Sequence, residues 1–363
     1  MKALITGGAG FIGRHLSRAL AGWDLVALDV LSPQVHLDPD ASCAAFSGEV
    51  VVGDVADPAA WSRLDRPDVV VHLAAETGTA QSMYEADRYR RVNVDGTRLA
   101  AEAARGWGVP IVFTSSRAVY GEGRYRLPDG SLVFGRPGGP GSVPAASTED
   151  DPHTPVSVYG ETKSEAESAL LAAAGGIPVG IVRPQNVIGP GQALHNPYTG
   201  VLAAWLARLR ESRPLLVFGD GTQTRDVVHV SDVAATLRWL ALGLVGGELG
   251  GDGPVVLNVG SGVRTTLSEL ASYAIAGSPT GRAEIEHVSV HRAGDIDHAC
   301  ADLTRSVALG APRATIGAAD AVSGFIRWSW DKPGAHAQAW DDALGELARH
   351  STHGSASGKD GAG

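Results

Sequence analysis

The sequence predicts a doubly wound α/β fold, with helices on both faces of a parallel sheet, followed by a smaller C-terminal lobe. Two observations support this prediction. The chain begins with an apolar run, a glycine-rich turn and an amphipathic helix, in the stretch MKALITGGAGFIGRHLSRAL. Short β-branched runs then alternate with helical patterns through the first half of the chain. This alternation is typical of parallel sheets whose strands are buried on both faces.

The first strand and helix enclose a predicted phosphate-binding turn. Gly7, Gly10 and Gly13 follow one another at three-residue spacing. Gly7 permits the tight turn, Gly10 lets the backbone approach a pyrophosphate, and Gly13 lets the helix pack close to the strand. The helix begins with Phe11 and Ile12, and its N-terminus presents free N–H groups and a positive dipole to the anion. We therefore expect a Rossmann-type dinucleotide-binding domain.

An acidic residue about twenty positions further on predicts which dinucleotide binds. Asp29 closes the second apolar run, LVALD, where its carboxylate can accept hydrogen bonds from the adenosine ribose. Val30 and Leu31 follow it, whereas an arginine there would favour a 2′-phosphate. The sequence therefore predicts NAD rather than NADP.

Further strands are expected at residues 25–28, 50–52, 69–73, 111–114 and 179–182, and helices at 89–105 and 158–174. Residues at the carboxyl ends of these strands face the cofactor side of the sheet. We assign Asp54 and Val55 to the cofactor site for this reason, together with Leu73, Ala74 and Ala75. Asp54 is expected to cap a helix or to contact the adenine, and these two roles are compatible.

The regular alternation of strand and helix patterns ends in the second part of the chain. Residues 121–148 are dense in Gly and Pro, which predicts an inserted loop with a small hairpin at 128–134. Strands are expected later at 215–218, 227–229 and 255–259, and helices at 231–242, 266–276 and 319–330. We expect a dinucleotide-binding domain over 1–188, to which some later segments return, a substrate-binding lobe over 189–350, and a disordered tail over 351–363.

Composition excludes several classes of protein. The 363 residues suffice for a large core, and the net charge of −10 comes from interspersed acidic and basic residues. This distribution argues against nucleic-acid and membrane-surface proteins. No run reaches the roughly 18 apolar residues that a membrane span requires. Cys43 and Cys300 are too far apart in sequence to suggest a metal or redox pair, so we expect a cytoplasmic protein without disulfides.

Tyr159 and Lys163 are four residues apart and share one face of a predicted helix. A tyrosine can act as acid or base in hydride transfer if a nearby cation lowers its pKa from about 10 by roughly 3 units. A lysine charge about 4 Å away has an effect of that size. The alternative is a tyrosine packed under a solvated lysine. Ser116 ends the fifth strand at the same edge, where its hydroxyl can hold the reacting oxygen or merely satisfy the strand end.

Six motifs in this order resemble the extended short-chain dehydrogenase/reductases that act on nucleotide sugars: TGGAGFIG, HLAA, SSRAVYG, YGETK, RPQNVIGPGQ and RDVVHVSDV. The resemblance covers about residues 1–330. It implies a catalytic triad of Ser116, Tyr159 and Lys163, with Lys163 also on the nicotinamide ribose. It implies substrate contacts by Asn186 and by two diphosphate-binding arginines, Arg225 and Arg292.

Within that family, ETGTAQSMYEADRYRRVNVDGT and SSRAVYGEG are similar to the dTDP-L-rhamnose 4-epimerase group, whose members carry an insertion after the YGEG stretch. By this resemblance Thr79 and Ser82 touch the sugar, and Asn93 orders the site beside the cofactor. Arg117, assigned to the substrate site, and Ala118 stand where 4,6-dehydratases of the family have Asp-Glu. Those enzymes need the two acids to eliminate water, so dehydration is not expected.

The sequence therefore predicts NAD-dependent 4-epimerisation of a nucleotide-linked hexose, a dTDP-6-deoxyhexose, through a 4-keto intermediate. A nucleotide-sugar 4-ketoreductase is the alternative within the same chemistry. A non-catalytic dinucleotide-sensing protein is the alternative from another class, although such proteins usually lack the Tyr–Lys pair. The resemblance also implies a homodimer joined by the helices at 89–105 and 158–174. The segment with His287 and His291 alternates like a strand, so no metal site is expected.

Overall fold

The structure is a computed structural model that describes residues 1–137, 140–196, 200–289, 294–334 and 336–342. The strands are β1 (Lys2–Thr6), β2 (Asp24–Asp29), β3 (Glu49–Val52), β4 (Val69–His72), β5 (Ile111–Thr114), β6 (Arg124–Arg126), β7 (Leu132–Phe134), β8 (Val143–Ala145), β9 (Val179–Pro184), β10 (Asn186–Ile188), β11 (Leu215–Phe218), β12 (Thr224–His229), β13 (Val255–Val259), β14 (Arg264–Thr266) and β15 (Ile285–Val288).

The helices are α1 (Phe11–Ala19), α2 (Pro39–Ala44), α3 (Pro58–Trp61), α4 (Thr79–Ser82), α5 (Ala86–Arg90), α6 (Gly96–Trp107), α7 (Val158–Ala174), α8 (Val201–Arg210), α9 (Val230–Val245), α10 (Leu267–Gly277), α11 (Thr304–Ala308) and α12 (Ala318–Ser329). A π-helix covers Arg91–Asp95, and a 3-10 helix covers Arg117–Tyr120. None of the helices described is long and apolar enough to cross a bilayer.

A seven-stranded parallel sheet lies at the centre, with strand order β13-β9-β5-β4-β1-β2-β3. The predicted doubly wound fold is confirmed. Strand β1 lies between β2 and β4, with Thr6 opposite both Leu28 and His72. The chain winds outward from β1 in both directions, so the winding reverses beside β1. Ligands of such sheets bind in the crevice at this reversal.

Alternate residues of each strand enter the apolar layers on the two faces of the sheet. Ile5 joins α1 and α9 on one face, and Leu4 joins α6 and α7 on the other. Leu16 of α1 and Leu237 of α9 are completely buried, as is Leu170 of α7. Burial of side chains on both faces explains the continuous apolar runs of the strand sequences.

Two elements from the second half of the chain return to this sheet. Strand β13 pairs with β9 at one edge, and α9 packs against α1. The remaining elements form small sheets of two or three strands around α8, α10 and α12. A capping box begins α10, where the side chains of Thr266 and Glu269 accept from each other's backbone N–H groups.

The insertion after β5 contains a three-stranded antiparallel sheet in the order β7-β6-β8. The hairpin expected at 128–134 begins earlier, because β6 pairs with β7 so that Arg124 lies opposite Phe134. Strand β8 then pairs with the other edge of β6 and was not predicted. Its three residues, Val-Pro-Ala, carry too little β-branched character to signal a strand without their partner. The predicted tail at 351–363 lies outside the described residues.

Candidate active site

The glycine turn after β1 is packed so closely that side chains would not fit. Gly7 has a φ of +67°, and a Cβ there would lie 2.9 Å from the Cα of Ala74. A Cβ on Gly13 would lie 2.4 Å from the carbonyl oxygen of Gly8. Helix α1 starts after Gly10 without a side-chain cap, so its first N–H groups are not engaged by a capping side chain. This bare backbone cradle fits the pyrophosphate of a dinucleotide.

Asp29 lies at the carboxyl end of β2, directly beside that turn, and is 6% exposed. Its Oδ2 accepts a hydrogen bond of 3.1 Å from the Ala9 N–H, and its Oδ1 accepts one of 2.9 Å from the Leu31 N–H. Nε2 of His36 lies 3.6 Å from Oδ1. A carboxylate has about four acceptor positions, so Asp29 can brace the turn and still accept from ribose hydroxyls.

Asp54 has a different local role from the one expected. Asp57, not Asp54, caps α3, by accepting from the Ala59 N–H at 2.9 Å. Asp54 accepts from the Ala56 N–H at 2.8 Å and forms an ion pair with Arg91. The helix-cap interpretation of Asp54 is therefore wrong, because the helix begins one turn later at a proline. Contact with the adenine stays a prediction for Asp54, as it does for Val55, which is buried against Gly96.

The segment after β4 is fixed against β1. Oγ1 of Thr6 accepts from the N–H groups of Leu73 and Ala74, both at 3.2 Å, and is hydrogen-bonded to Nδ1 of His72 at 2.7 Å. Complete burial lowers the pKa of His72 to about 3, so the ring stays neutral. These contacts hold the segment from Leu73 to Ala75 against the glycine turn, on the side where we expect the cofactor.

Tyr159 and Ser116 meet because α7 approaches the 3-10 helix closely. Ser157 caps α7 by accepting from the Gly160 N–H at 3.1 Å. A Cβ on Gly160 would lie 2.6 Å from the carbonyl oxygen of Ala118, so only glycine allows this approach. The contact brings the side chains of Tyr159 and Ser116 together at the carboxyl edge of the sheet, where Ser116 lowers the pKa of the Tyr159 hydroxyl.

The electrostatics of Tyr159 differ from the expectation. Burial raises its pKa above the ordinary value, while the hydrogen bond with Ser116 and the charge of Arg117 lower it. Lys163 is also buried, and its Nζ donates to the carbonyl oxygen of Thr114 at 3.0 Å. Burial lowers the pKa of Lys163 to about 7. The lowering of the Tyr159 pKa by Lys163 stays a prediction, and Arg117 is a further positive charge that lowers this pKa.

A π-helix positions Asn93 behind the site. Asn93 is completely buried, and its Oδ1 accepts from the Glu76 N–H at 2.8 Å. Its Nδ2 donates to the Glu76 carbonyl at 3.2 Å and to Oγ1 of Thr162 at 3.0 Å. Asn93 thus ties the segment after β4 to helix α7. The additional residue of a π-turn breaks no apolar pattern, so this turn could not be predicted from local periodicity.

Two residues expected on the sugar occupy different environments. Ser82 is completely buried; its hydroxyl donates to the Thr79 carbonyl at 2.6 Å and accepts from the Tyr159 N–H at 3.0 Å. The prediction that Ser82 contacts the sugar is therefore wrong. Ser82 instead holds the start of α7 through its hydrogen bond with the Tyr159 N–H. Thr79 is half-buried at the start of α4, and a Cβ on Gly294 would lie 3.2 Å from its Cγ2. The second lobe therefore approaches the site at Thr79.

Two of the residues expected to contact the substrate lie on neighbouring strands, β10 and β12. Asn186 is exposed on β10, which runs parallel to β12, where Arg225 lies. Arg225 donates to the carbonyls of Ile296 and Asp297, at 2.9 and 3.1 Å. Arg292 lies outside the described residues, as does His291. His287 is on β15, a strand as expected.

Sequence reasoning missed the contacts that fasten the insertion over this region. Glu122 accepts from the backbone N–H groups of Asp297 and His298 at 3.0 and 3.2 Å, and from the Tyr125 hydroxyl at 2.6 Å. Nε of Arg136 lies 2.9 Å from Oδ2 of Asp297. The partners are up to 176 residues apart in sequence, so only the tertiary structure reveals them.

Comparison with known proteins gives a consistent result. Residues 3–260 match the sequence model of the NAD dependent epimerase/dehydratase family. The chain is 39% identical over 332 residues to a dTDP-L-rhamnose 4-epimerase of Burkholderia thailandensis, covering 85% of this chain and 89% of that protein. It is 35% identical over 315 residues to a UDP-glucose 4-epimerase of Mycolicibacterium smegmatis, covering 84% and 91%.

Solved structures agree with these matches. MoeE5 in complex with UDP-glucose and NAD aligns with a TM-score of 0.72 at 30% identity, over 91% of this chain and 98% of that one. UDP-glucose 4-epimerase of Thermotoga maritima, with UDP-glucose, aligns with a TM-score of 0.73 at 26% identity, over 90% and 98%.

Proposed function

The chain belongs to the NAD dependent epimerase/dehydratase family, and from this premise we propose that it is an NAD-dependent nucleotide-sugar 4-epimerase. The observation that supports it most directly is the close approach of α7 to the 3-10 helix at Gly160, which brings Tyr159 to Ser116 at the carboxyl edge of the sheet. The substrate we propose is a dTDP-6-deoxyhexose. The 39% identity with a dTDP-L-rhamnose 4-epimerase supports this choice.

Separate residues along the carboxyl edge of the sheet would hold the pyrophosphate and the two riboses of NAD. The turn from Gly7 to Gly13 would take the pyrophosphate, and Asp29 the adenosine ribose. Lys163 would hold the nicotinamide ribose through its Nζ. When bound, NAD accepts a hydride from the sugar carbon and returns it, and its nicotinamide ring adds a positive charge near Tyr159.

The chain's own residues would move the proton. Tyr159 takes it from the C4 hydroxyl while Ser116 donates a hydrogen bond to the same oxygen. After the 4-keto sugar has turned in the pocket, Tyr159 gives the proton back to the carbonyl oxygen. We propose substrate contacts for Thr79, Asn186 and Arg225, with Arg225 and Arg292 on the diphosphate. Arg117 in place of an acid, and Ala118 beside it, leave no acid–base pair for dehydration.

The experiment that tests this proposal uses purified protein without added reductant. Incubation of dTDP-rhamnose in deuterated buffer should give the C4 epimer, with no deuterium at the inverted carbon and no net absorbance change of reduced nicotinamide. UDP-glucose serves as the comparison substrate. Conversion that needs stoichiometric NADH or NADPH would show a ketoreductase instead. If no nucleotide sugar is converted although NAD binds, the chain is a dinucleotide-binding protein without this activity.

We also propose a cytoplasmic homodimer. The free thiols of Cys43 and Cys300 support a reducing compartment. Helices α6 and α7 pack side by side, and Leu171 of α7 is 45% exposed. A four-helix interface between two subunits would cover it. Light scattering at micromolar concentration should give twice the mass of one chain, and Leu171→Asp should reduce the measured mass.

We further propose that residues 1–188, together with α9 and β13, form the cofactor domain, and that the remainder forms the substrate lobe.

A further inference from the structure

Glu122 joins the inserted loop at 121–148 to a segment from the second half of the chain. Its side chain is buried, and its Oε1 accepts from the N–H groups of Asp297 at 3.0 Å and His298 at 3.2 Å. Its Oε2 also lies 3.0 Å from the Asp297 nitrogen. The hydroxyl of Tyr125, on β6 of the insertion, donates to Oε1 at 2.6 Å and orients the carboxylate. One buried carboxylate therefore holds two successive backbone N–H groups against the insertion.

The carbonyl oxygens of the same two peptide groups hold Arg225. Its Nη2 donates to the carbonyl of Ile296 at 2.9 Å, and its Nη1 donates to the carbonyl of Asp297 at 3.1 Å. The Ile296 carbonyl and the Asp297 N–H belong to one peptide group, and the Asp297 carbonyl and the His298 N–H belong to the next. Each peptide group thus has its N–H on the Glu122 carboxylate and its carbonyl on the Arg225 guanidinium.

These two peptide groups couple the carboxylate to the guanidinium. A peptide group is planar and stiff, so a shift of its N–H also shifts its carbonyl oxygen. The negative charge at the N–H ends and the positive charge at the carbonyl ends polarise both peptide groups in the same direction, which strengthens the hydrogen bonds at both ends. Strand β12 also supports the segment, because the Thr224 N–H donates to the Asp297 carbonyl at 2.9 Å. Glu122 adds the support that comes from the insertion.

We propose that Glu122 is a positioning residue that, through these two peptide groups, orients the guanidinium of Arg225 for the diphosphate of the nucleotide sugar. This inference rests on the proposed function, in which Arg225 contacts the diphosphate, and it gives the inserted loop a part in substrate binding. A guanidinium binds a phosphate best when its planar fork is held in a fixed orientation. Loss of the carboxylate should therefore weaken binding of the diphosphate without removing the arginine.

The direct test measures binding of a nucleoside diphosphate without turnover. Calorimetric titration of the NAD-loaded protein with dTDP, and with UDP in parallel, gives the Kd. Glu122→Ala should raise the Kd about tenfold or more, because two charge-assisted hydrogen bonds to the segment are lost. Glu122→Gln should raise it less, about threefold, because its amide oxygen can still accept from both N–H groups. Glu286→Ala, which removes an exposed carboxylate on β15, is the control and should leave the Kd unchanged. An unchanged Kd in Glu122→Ala, or a wild type that binds neither dTDP nor UDP, would overturn the proposal.

A double-mutant cycle separates positioning of Arg225 from general support of the fold. If Glu122 acts through Arg225, Glu122→Ala should change the dTDP Kd by less than about twofold in an Arg225→Gln background. Equal losses of affinity in the two backgrounds would show that Glu122 merely supports the fold, and would overturn the proposal. Thermal melts of each variant check folding, and Glu122→Gln takes the place of Glu122→Ala in the cycle if the alanine variant does not fold.

Turnover gives a further readout. Glu122→Ala should raise KM for the nucleotide sugar about tenfold and leave kcat within about threefold, because the change acts on the diphosphate and not on proton transfer at Tyr159. A fall in kcat at constant KM would contradict the proposal. The binding cycle needs no turnover, so it decides the role of Glu122 even if the protein epimerises no sugar. Epimerisation together with equal losses in the two backgrounds would overturn this inference and leave the proposed function standing.

Discussion

Gln34 and Gln81 are joined by a hydrogen bond of 2.7 Å, from Nε2 of Gln34 to Oε1 of Gln81. Gln34 follows β2 and Gln81 follows β4, and these strands flank β1 on its two sides. Arg88 reinforces the contact by donating to Gln34 at 3.3 Å and to Glu76 at 2.9 Å. The bridge therefore spans the segments on either side of the glycine turn, where we expect the pyrophosphate of NAD.

Loss of this bridge should accelerate NAD dissociation. Gln34→Ala removes hydrogen bonds that contribute about 0.5–1.5 kcal/mol each, so the dissociation rate should rise about three- to tenfold. Stopped-flow displacement of bound NAD measures this rate. Val35→Ala is the control, since Val35 lies in the same segment with its side chain 42% exposed. Equal rates in Gln34→Ala and the wild type would show that the bridge does not retain the cofactor.

Asp29 should make the protein prefer NAD to NADP, because its carboxylate repels a 2′-phosphate. We expect a preference of about tenfold or more in Kd, and Asp29→Asn should reduce it by removing the charge. Asp24→Asn, at the exposed opposite end of β2, should leave the preference unchanged. Calorimetric titration with both dinucleotides provides the values. Equal affinities in the wild type would contradict the role of Asp29.

Tyr159→Phe should lower turnover by about 10²- to 10⁴-fold, the range typical of a lost general acid–base group. The fold and NAD affinity should stay close to wild type, because only one hydroxyl is removed. Tyr273→Phe, on α10 in the other lobe, is the control for loss of a tyrosine hydroxyl. Activity assays are paired with thermal melts of each variant. Retention of more than about a hundredth of the wild-type rate would point to a different base.

His72 should make the protein less stable in acid. Its pKa is about 3 in the folded state and about 6.5 when unfolded, so between these values the unfolded chain binds one more proton. The free energy of unfolding should therefore fall as pH drops below about 6.5, with a contribution of up to about 1.4 kcal/mol per pH unit. Above about pH 6.5, the contribution of His72 to the free energy of unfolding should be constant.

Denaturant titrations between pH 5 and 8 measure this slope, in wild type and in His72→Gln. The variant should show a shallower dependence on pH even if its stability is lower overall, because it lacks the titrating ring. His336→Gln is the matched control, since the His336 side chain is 90% exposed. An identical slope in His72→Gln and wild type would show that His72 is not kept neutral by folding.

The sequence by itself determined the doubly wound sheet and the cofactor-binding edge. Local patterns suffice for these features, because strand burial on both faces leaves continuous apolar runs, and the glycine turn needs small residues at fixed spacing. Strands β5, β11 and β13 were predicted with their observed bounds. The pairing of Tyr159 with Lys163 followed in the same way from helical periodicity.

Only the tertiary structure decided how charge is distributed around Tyr159. Desolvation depends on atoms brought from distant parts of the chain, and no local spacing reports it. Burial lowers the pKa of Lys163 to about 7, and the close approach of α7 at Gly160 sets Tyr159 against the 3-10 helix. Ser82 was removed from the sugar side for the same reason: its hydroxyl is enclosed by Thr79 and the start of α7. Sequence motifs predicted which residues form the site, and packing determined what each of them contacts.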